Sequence, residues 1–132
     1  MESKGWVGLA LVKMSAIYLL VALVLGLAMA IGEDFTLMSV HSHLGFLGWA
    51  AMGLTGVVYL VVPRTGTSRL AVAHFWMHNL GLPVMMGGLV ALHLRGDARA
   101  EPVVGVGSTL VLAAMATFTV NLFRNARRRD SA

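Results

Sequence analysis

Four apolar runs fix most of what this chain can become. They lie at about 6–31, 37–62, 70–94 and 103–123, separated by the short polar stretches "GEDF", "PRTGTSR" and "RGDARAEP". An α-helix of roughly 20 apolar residues crosses the hydrocarbon of a bilayer, and only a helix or a closed barrel satisfies its own backbone there. The alternative of a water-soluble domain fails on area. With 58% hydrophobic and 12% charged residues in 132, and a mean hydropathy of +0.79, a small domain would expose too much of this surface. Short links make neighbouring spans antiparallel. The expected fold class is therefore all-α, an integral membrane four-helix up-down bundle forming a single domain over 1–132. Pro63 and Pro102 fall at span edges, where a missing N–H costs least. "LAMA" before Ile31 has the look of a signal-peptidase site, but the apolar run ahead of it is too long for a signal peptide, so this segment reads as a retained span.

The chain has no cysteine. Disulfides, thiolate metal sites and covalent c-type haem attachment are excluded, leaving His, Met, Tyr, carboxylates and backbone as donors. Its net charge of +4 is concentrated in the C-terminal "RNARRRD". On a membrane chain such a cluster is a topology signal or a lipid-headgroup contact, and no nucleic-acid partner is expected. Lys4, Arg64, Arg69, Arg124, Arg127, Arg128 and Arg129 share one side of a four-span topology; Glu33, Asp34, Arg95 and Arg99 share the other. The positive-inside rule puts both termini in the cytoplasm and the chain in the cell's inner (cytoplasmic) membrane. Lys13 lies close enough to that end to snorkel. All acidic residues are in links and tails, so intramembrane acid/base hydrolysis lacks its parts.

Histidine inside a bilayer is costly and marks a functional site by default. His41, His43 and His93 fall toward the outer face, His74 and His78 toward the inner one. His74 and His78 stand four apart on one helical face, a spacing that serves either a shared metal or mutual hydrogen bonding. His41 and His43 stand two apart, and at about 100° per residue they point to nearly opposite sides of a helix. Two partners, one per face, suit them better than one metal. His41 aligns with Gly45, Gly48, Met52, Gly56 and Tyr59; His43 aligns with Leu47, Ala50, Leu54 and Val57. A glycine stripe under a histidine leaves either a flat slot for a porphyrin or a seam for close helix packing. His93 also reads as a residue facing headgroups, and Met77, Met85 and Met86 read mainly as core filler.

"HSHLGFLGWAAMGLTGVVYLVVPR" followed by "HFWMHNLGLPVMMGGL" resembles two consecutive spans of the haem–copper oxidase superfamily. The nearest likeness is to the large subunit of nitric oxide reductases and to its short four-span relatives, over roughly 13–90. The resemblance implies one four-helix arc of a twelve-span, pseudo-threefold subunit. It implies a haem b, with His41 as an axial ligand and His43 as a second haem ligand or hydrogen-bond partner, plus an additional copper or iron. It also implies a homo-oligomer, a trimer favoured over a dimer, that rebuilds the larger ring. The chain departs from the family's second-metal chemistry, since Tyr59 is on a different motif and no glutamate lies in a span. Oxidoreductase catalysis is accordingly left open and no catalytic residue is assigned; the electron donor is not specified.

The expected function is b-type haem binding for electron transfer or for binding a small gas such as nitric oxide or oxygen. His41, His43, Gly45 and Gly48 would contact the cofactor; the candidate metal ligands are His41, His43, His93, His78 and His74. Two readings stand beside it. One is a cofactor-free structural or regulatory membrane protein whose histidines stitch helices. The other is a copper- or zinc-binding protein using His41, His43 and His93, or His74 and His78.

Overall fold

The computed structural model describes residues 5–126, and among these it is helical throughout its ordered elements. Helix α1 is Trp6–Gly32. The second span is composite: α2 (Met38–His43), a π-helical segment (Leu44–Ala51) and α3 (Met52–Val61). A one-turn helix α4 (Pro63–Gly66) leads to α5 (Arg69–Arg95), and a 3-10 turn (Ala98–Ala100) leads to α6 (Glu101–Asn125). Four helices, Trp6–Gly32, Met38–Val61, Arg69–Arg95 and Ala98–Asn125, are long and apolar enough to cross a membrane. They match the four expected spans. Lys4, Arg127, Arg128 and Arg129 of the expected basic side lie outside the described residues.

The helix ends follow local chemistry. Ser68 caps α5, its hydroxyl accepting from the Ala71 N–H at 3.1 Å. Gly96 ends that helix in the left-handed region, at φ 61°, donating its N–H to Leu92. Pro63 and Pro102 open α4 and α6 as expected. Pro83, by contrast, stands inside α5; it removes the N–H that would bond the carbonyl of Asn79, a loss that packed membrane helices tolerate.

The spans pair as two antiparallel hairpins, α1 with the second span and α5 with α6. The second pair is drawn tight by small residues. A Cβ added to Gly107 would stand 2.6 Å from the Met85 Cα, and one on Gly81 would stand 3.0 Å from the Gly107 carbonyl. The hairpins meet through Val40, Leu44, Met52, Leu82, Met85 and Met86, with Trp6 edge-on to Phe75 at 4.9 Å. The outer surface is apolar: Leu20, Val61, Leu112 and Phe123 are all more than half exposed. That surface suits hydrocarbon, since exposed apolar area on this scale is a liability in water.

One departure from regular geometry reorganises the second span. Its buried positions Val40, Leu44, Gly48 and Met52 recur every four residues. In an α-helix a step of four overshoots a full turn by about 40°, so this row would wind off the buried face. A π-helix takes one more residue into each bonded turn. The segment Leu44–Ala51 thus keeps the row facing the core and then returns to α-helix at Met52.

Candidate functional site: two histidine groups

The half of the bundle that holds the start of α1 and the end of α6, the inner half in the expected orientation, contains a buried hydrogen-bonded chain. His74 and His78 have no exposed surface, and Tyr59 and Asn121 are sealed with them. The chain runs from Asn121 Nδ2 to Tyr59 Oη (3.4 Å), from Tyr59 Oη to His74 Nδ1 (3.1 Å), from His74 Nε2 to His78 Nδ1 (3.4 Å), and from His78 Nε2 to the Leu47 carbonyl (3.0 Å). Its polarity is forced. The Leu47 carbonyl only accepts, so His78 Nε2 carries the proton and His78 Nδ1 accepts. His74 Nε2–H therefore donates to His78, and His74 Nδ1 accepts the Tyr59 O–H. The Tyr59 oxygen is then left to accept from Asn121. Every link has one donor and one acceptor with both imidazoles neutral.

This chain ties several elements together. Asn121 on α6 also donates to the Thr65 carbonyl at 2.9 Å, and its Oδ1 accepts from Asn125 at 2.7 Å and lies 2.9 Å from the Ser68 hydroxyl. Phe118 covers the Tyr59 and His74 rings, with centroids at 5.5 and 5.6 Å. Sequence reasoning found the His74–His78 pair but missed Tyr59 and Asn121 as its partners. An amide and a phenol inside apolar runs were the available signal, because polar groups in a span need partners.

The outer half differs in what its histidines leave open. His41 is half-buried against α1, its Nδ1 donating to the Ala22 carbonyl at 2.9 Å and its ring lying over Gly26, where an added Cβ would be 2.8 Å from Cε1. His43 Nδ1 donates to the Ser39 carbonyl at 2.7 Å, and exposed His93 Nδ1 donates to the Leu89 carbonyl at 2.8 Å. In all three, Nε2 is the remaining lone-pair nitrogen, and it has no hydrogen-bond partner among the described residues. The antiparallel arrangement brings the start of the second span and the end of α5 to one end of the bundle, so these histidines share a depth, as expected. They do not converge: among the described residues no group of three or more His or carboxylate side chains is placed to hold a metal ion.

The stripe expected below His41 as an open slot is filled by α1. Gly48 lies under the Tyr18 ring, where an added Cβ would be 2.7 Å from its Cγ, and Gly56 faces the Gly8 carbonyl and Leu11. Only Gly45 opens onto space. His41, Gly48 and Gly56 thus all face α1, against Gly26, Tyr18 and Gly8 in turn, so the stripe is a seam of close helix packing, while Tyr59 at its end joins the inner polar chain. A separate apolar groove of about 640 Å³ opens beside the outer half, lined among others by Val24, Leu37, Leu44, Met86 and Val90, without a polar side chain. Outside the spans, Asp34 accepts from the Thr36 hydroxyl and backbone N–H, and these bonds hold its carboxyl below the usual aspartate range.

Comparison with protein-family profiles, with curated proteins and with solved structures gives no match to this chain.

Proposed function

We propose that the chain is a b-type haem-binding protein of the cytoplasmic membrane, with both termini in the cytoplasm, acting in electron transfer or in binding a small gas such as nitric oxide or oxygen. One observation carries this reading. His41 and His43, like His93, each donate Nδ1–H to a main-chain carbonyl and keep Nε2 as a free lone pair. Ligating histidines are held this way, because the bond on one nitrogen fixes the tautomer and orientation of the other. The donor set therefore fits an axial imidazole. The fit is poorer along Gly48, where Tyr18 fills the space, than at Gly45, which is open.

Haem would supply a redox-active iron with axial positions for imidazole or gas. The chain's own residues would hold and orient it: the Ala22 carbonyl aims His41, the Ser39 carbonyl aims His43, and apolar side chains around Leu44 keep water away. No three of the described His or carboxylate side chains gather at one point, and a second copy would supply the second histidine of a two-histidine ligand set. That fits the homo-oligomer, a trimer in preference to a dimer, implied by the family likeness. A copper or iron beside the haem would draw on His93, since His74 and His78 keep no free ring nitrogen.

The test is a reduced-minus-oxidised absorption spectrum with a pyridine haemochrome assay on detergent-purified protein. A b-type spectrum lost in His41→Ala or His43→Ala, and retained in His74→Phe, is the expected result. Nitric oxide or carbon monoxide added to the reduced protein then reports an open axial position. Colourless protein from haem-supplemented cells sinks the proposal, and bound copper or zinc without a porphyrin band replaces it with the metal reading. A cofactor-free role is the second reading; it is favoured for His74 and His78, whose ring nitrogens are all used within the fold.

A further inference from the structure

The second span is π-helical at the place where it receives a hydrogen bond from another helix. Leu47 lies in the middle of Leu44–Ala51, and its carbonyl accepts the His78 Nε2–H at 3.0 Å. Nothing else among the described residues accepts that proton, and the polarity of the buried chain fixes it on Nε2. The lower part of the span is pinned by other contacts: Gly56 against Gly8, Gly53 against Ser15, and Tyr59 within the polar chain. The upper part carries His41 and His43; Val40 and Leu44 pack it in the core, and its one cross-helix polar bond among the described residues runs from His41 to the Ala22 carbonyl.

We propose that His78 is a latch on a two-state helix: its bond to Leu47 holds Leu44–Ala51 in the π-helical form, and release lets the segment rewind as α-helix and turn the His41–His43 end about the span axis. A π segment is an α-helix with a residue in excess, kept because something rewards the displaced carbonyl. Here the reward is His78, which would otherwise bury an unsatisfied donor in the bundle. Rewinding by one residue rotates everything above it by about 100° and moves it about 1.5 Å along the axis. The rotation takes His41 off Gly26 and away from the Ala22 carbonyl, so the inner polar chain sets which way the outer histidines point. The device does not depend on whether those histidines hold a cofactor.

The absence of native cysteine makes the test clean. Nitroxides on Ser42→Cys, exposed above the segment, and Leu94→Cys, exposed at the same end of α5, report the upper half by pulsed EPR in nanodiscs. Val57→Cys with Val120→Cys reports the lower half. With side chains about 5–6 Å from the axis, a rotation of about 100° displaces a label by about 8 Å. His78→Phe, which keeps a ring but has no donor, is expected to shift the upper distance by several ångströms, up to that amount, and leave the lower one in place. His78→Gln, whose amide N–H reaches a similar point, is expected to keep the parent distance. An unchanged upper distance in folded His78→Phe overturns the proposal. Should His78→Phe fail to fold, deletion of Ala50 decides the matter. Removing one residue from a π segment restores α-helix with both ends on their original faces, so the upper distance should stay within about 2 Å, whereas a displacement near 8 Å would overturn the π-helical latch.

Discussion

The forced polarity of the inner chain can be tested by the way its members fail together. Tyr59→Phe removes one O–H and leaves His74 Nδ1 as a single buried acceptor without a partner, while Asn121 keeps its stronger bond to the Thr65 carbonyl. His74→Phe orphans two groups, the Tyr59 O–H and His78 Nδ1. An unsatisfied buried polar group costs about 1–3 kcal/mol in proteins generally, and interhelical hydrogen bonds in membranes average about 0.6 kcal/mol with a maximum near 1.7. Tyr59→Phe is therefore expected to cost about 1 kcal/mol and His74→Phe about 2 kcal/mol. In the double variant, Tyr59→Phe removes a donor that His74→Phe had already orphaned, so the second substitution should cost close to nothing. The coupling energy is then about 1 kcal/mol, measured by steric trapping or by reversible SDS unfolding in bicelles as a double-mutant cycle. Strict additivity, or a cost for Tyr59→Phe equal to that of His74→Phe, would refute the assigned directions of the chain.

Two further outcomes follow from local geometry. Gly107→Ala drives a methyl into the Met85 backbone and should weaken the α5–α6 pair by about 1–3 kcal/mol, as overpacking does, whereas Gly105→Ala two residues away meets open space and should be neutral or stabilising by up to about 1 kcal/mol; the same unfolding assay checks both. Because the Thr36 hydroxyl and N–H lower the Asp34 pKa, the turn gains support that is present above the unfolded pKa and lost as pH falls through the lower, folded one. An NMR titration of the Asp34 carboxyl should give a midpoint below that of an ordinary aspartate, returning toward it in Thr36→Val.

The spans, their antiparallel order and their ends at Pro63, Gly96 and Pro102 were legible because each follows from length, apolarity and capping chemistry, which are local properties. The pairing of His74 with His78 was legible for the same reason, being four residues apart on one helix. The filling of the stripe beneath His41 was not, nor was the π-helix in "LGFLGWAA", which no residue there announces. Both are tertiary: Gly26, Tyr18 and Gly8 of α1 stand against His41, Gly48 and Gly56, and His78 reaches Leu47 from α5. Asn121 was passed over because its partners, Tyr59, Thr65 and Ser68, lie more than fifty residues away in the chain.

The two histidine groups differ in a way that ranks the residues worth perturbing. His74 and His78 spend both ring nitrogens inside the fold, so truncating either leaves buried groups unpaired and acts first on stability. His41, His43 and His93 spend one nitrogen on a carbonyl and keep one lone pair. Exposed His93 can satisfy that lone pair with water or headgroups at the bundle end. Half-buried His41 stands against α1, and its Nε2, unlike the ring nitrogens of His74 and His78, is neither hydrogen-bonded among the described residues nor sealed in the core. A ligand with an empty orbital would use that lone pair, and helix packing alone would not. His41→Leu therefore separates the two readings. In a protein that only stitches helices it should cost no more than the bond to the Ala22 carbonyl, about 1 kcal/mol, and in one that holds a cofactor it should lose bound haem or metal while staying folded.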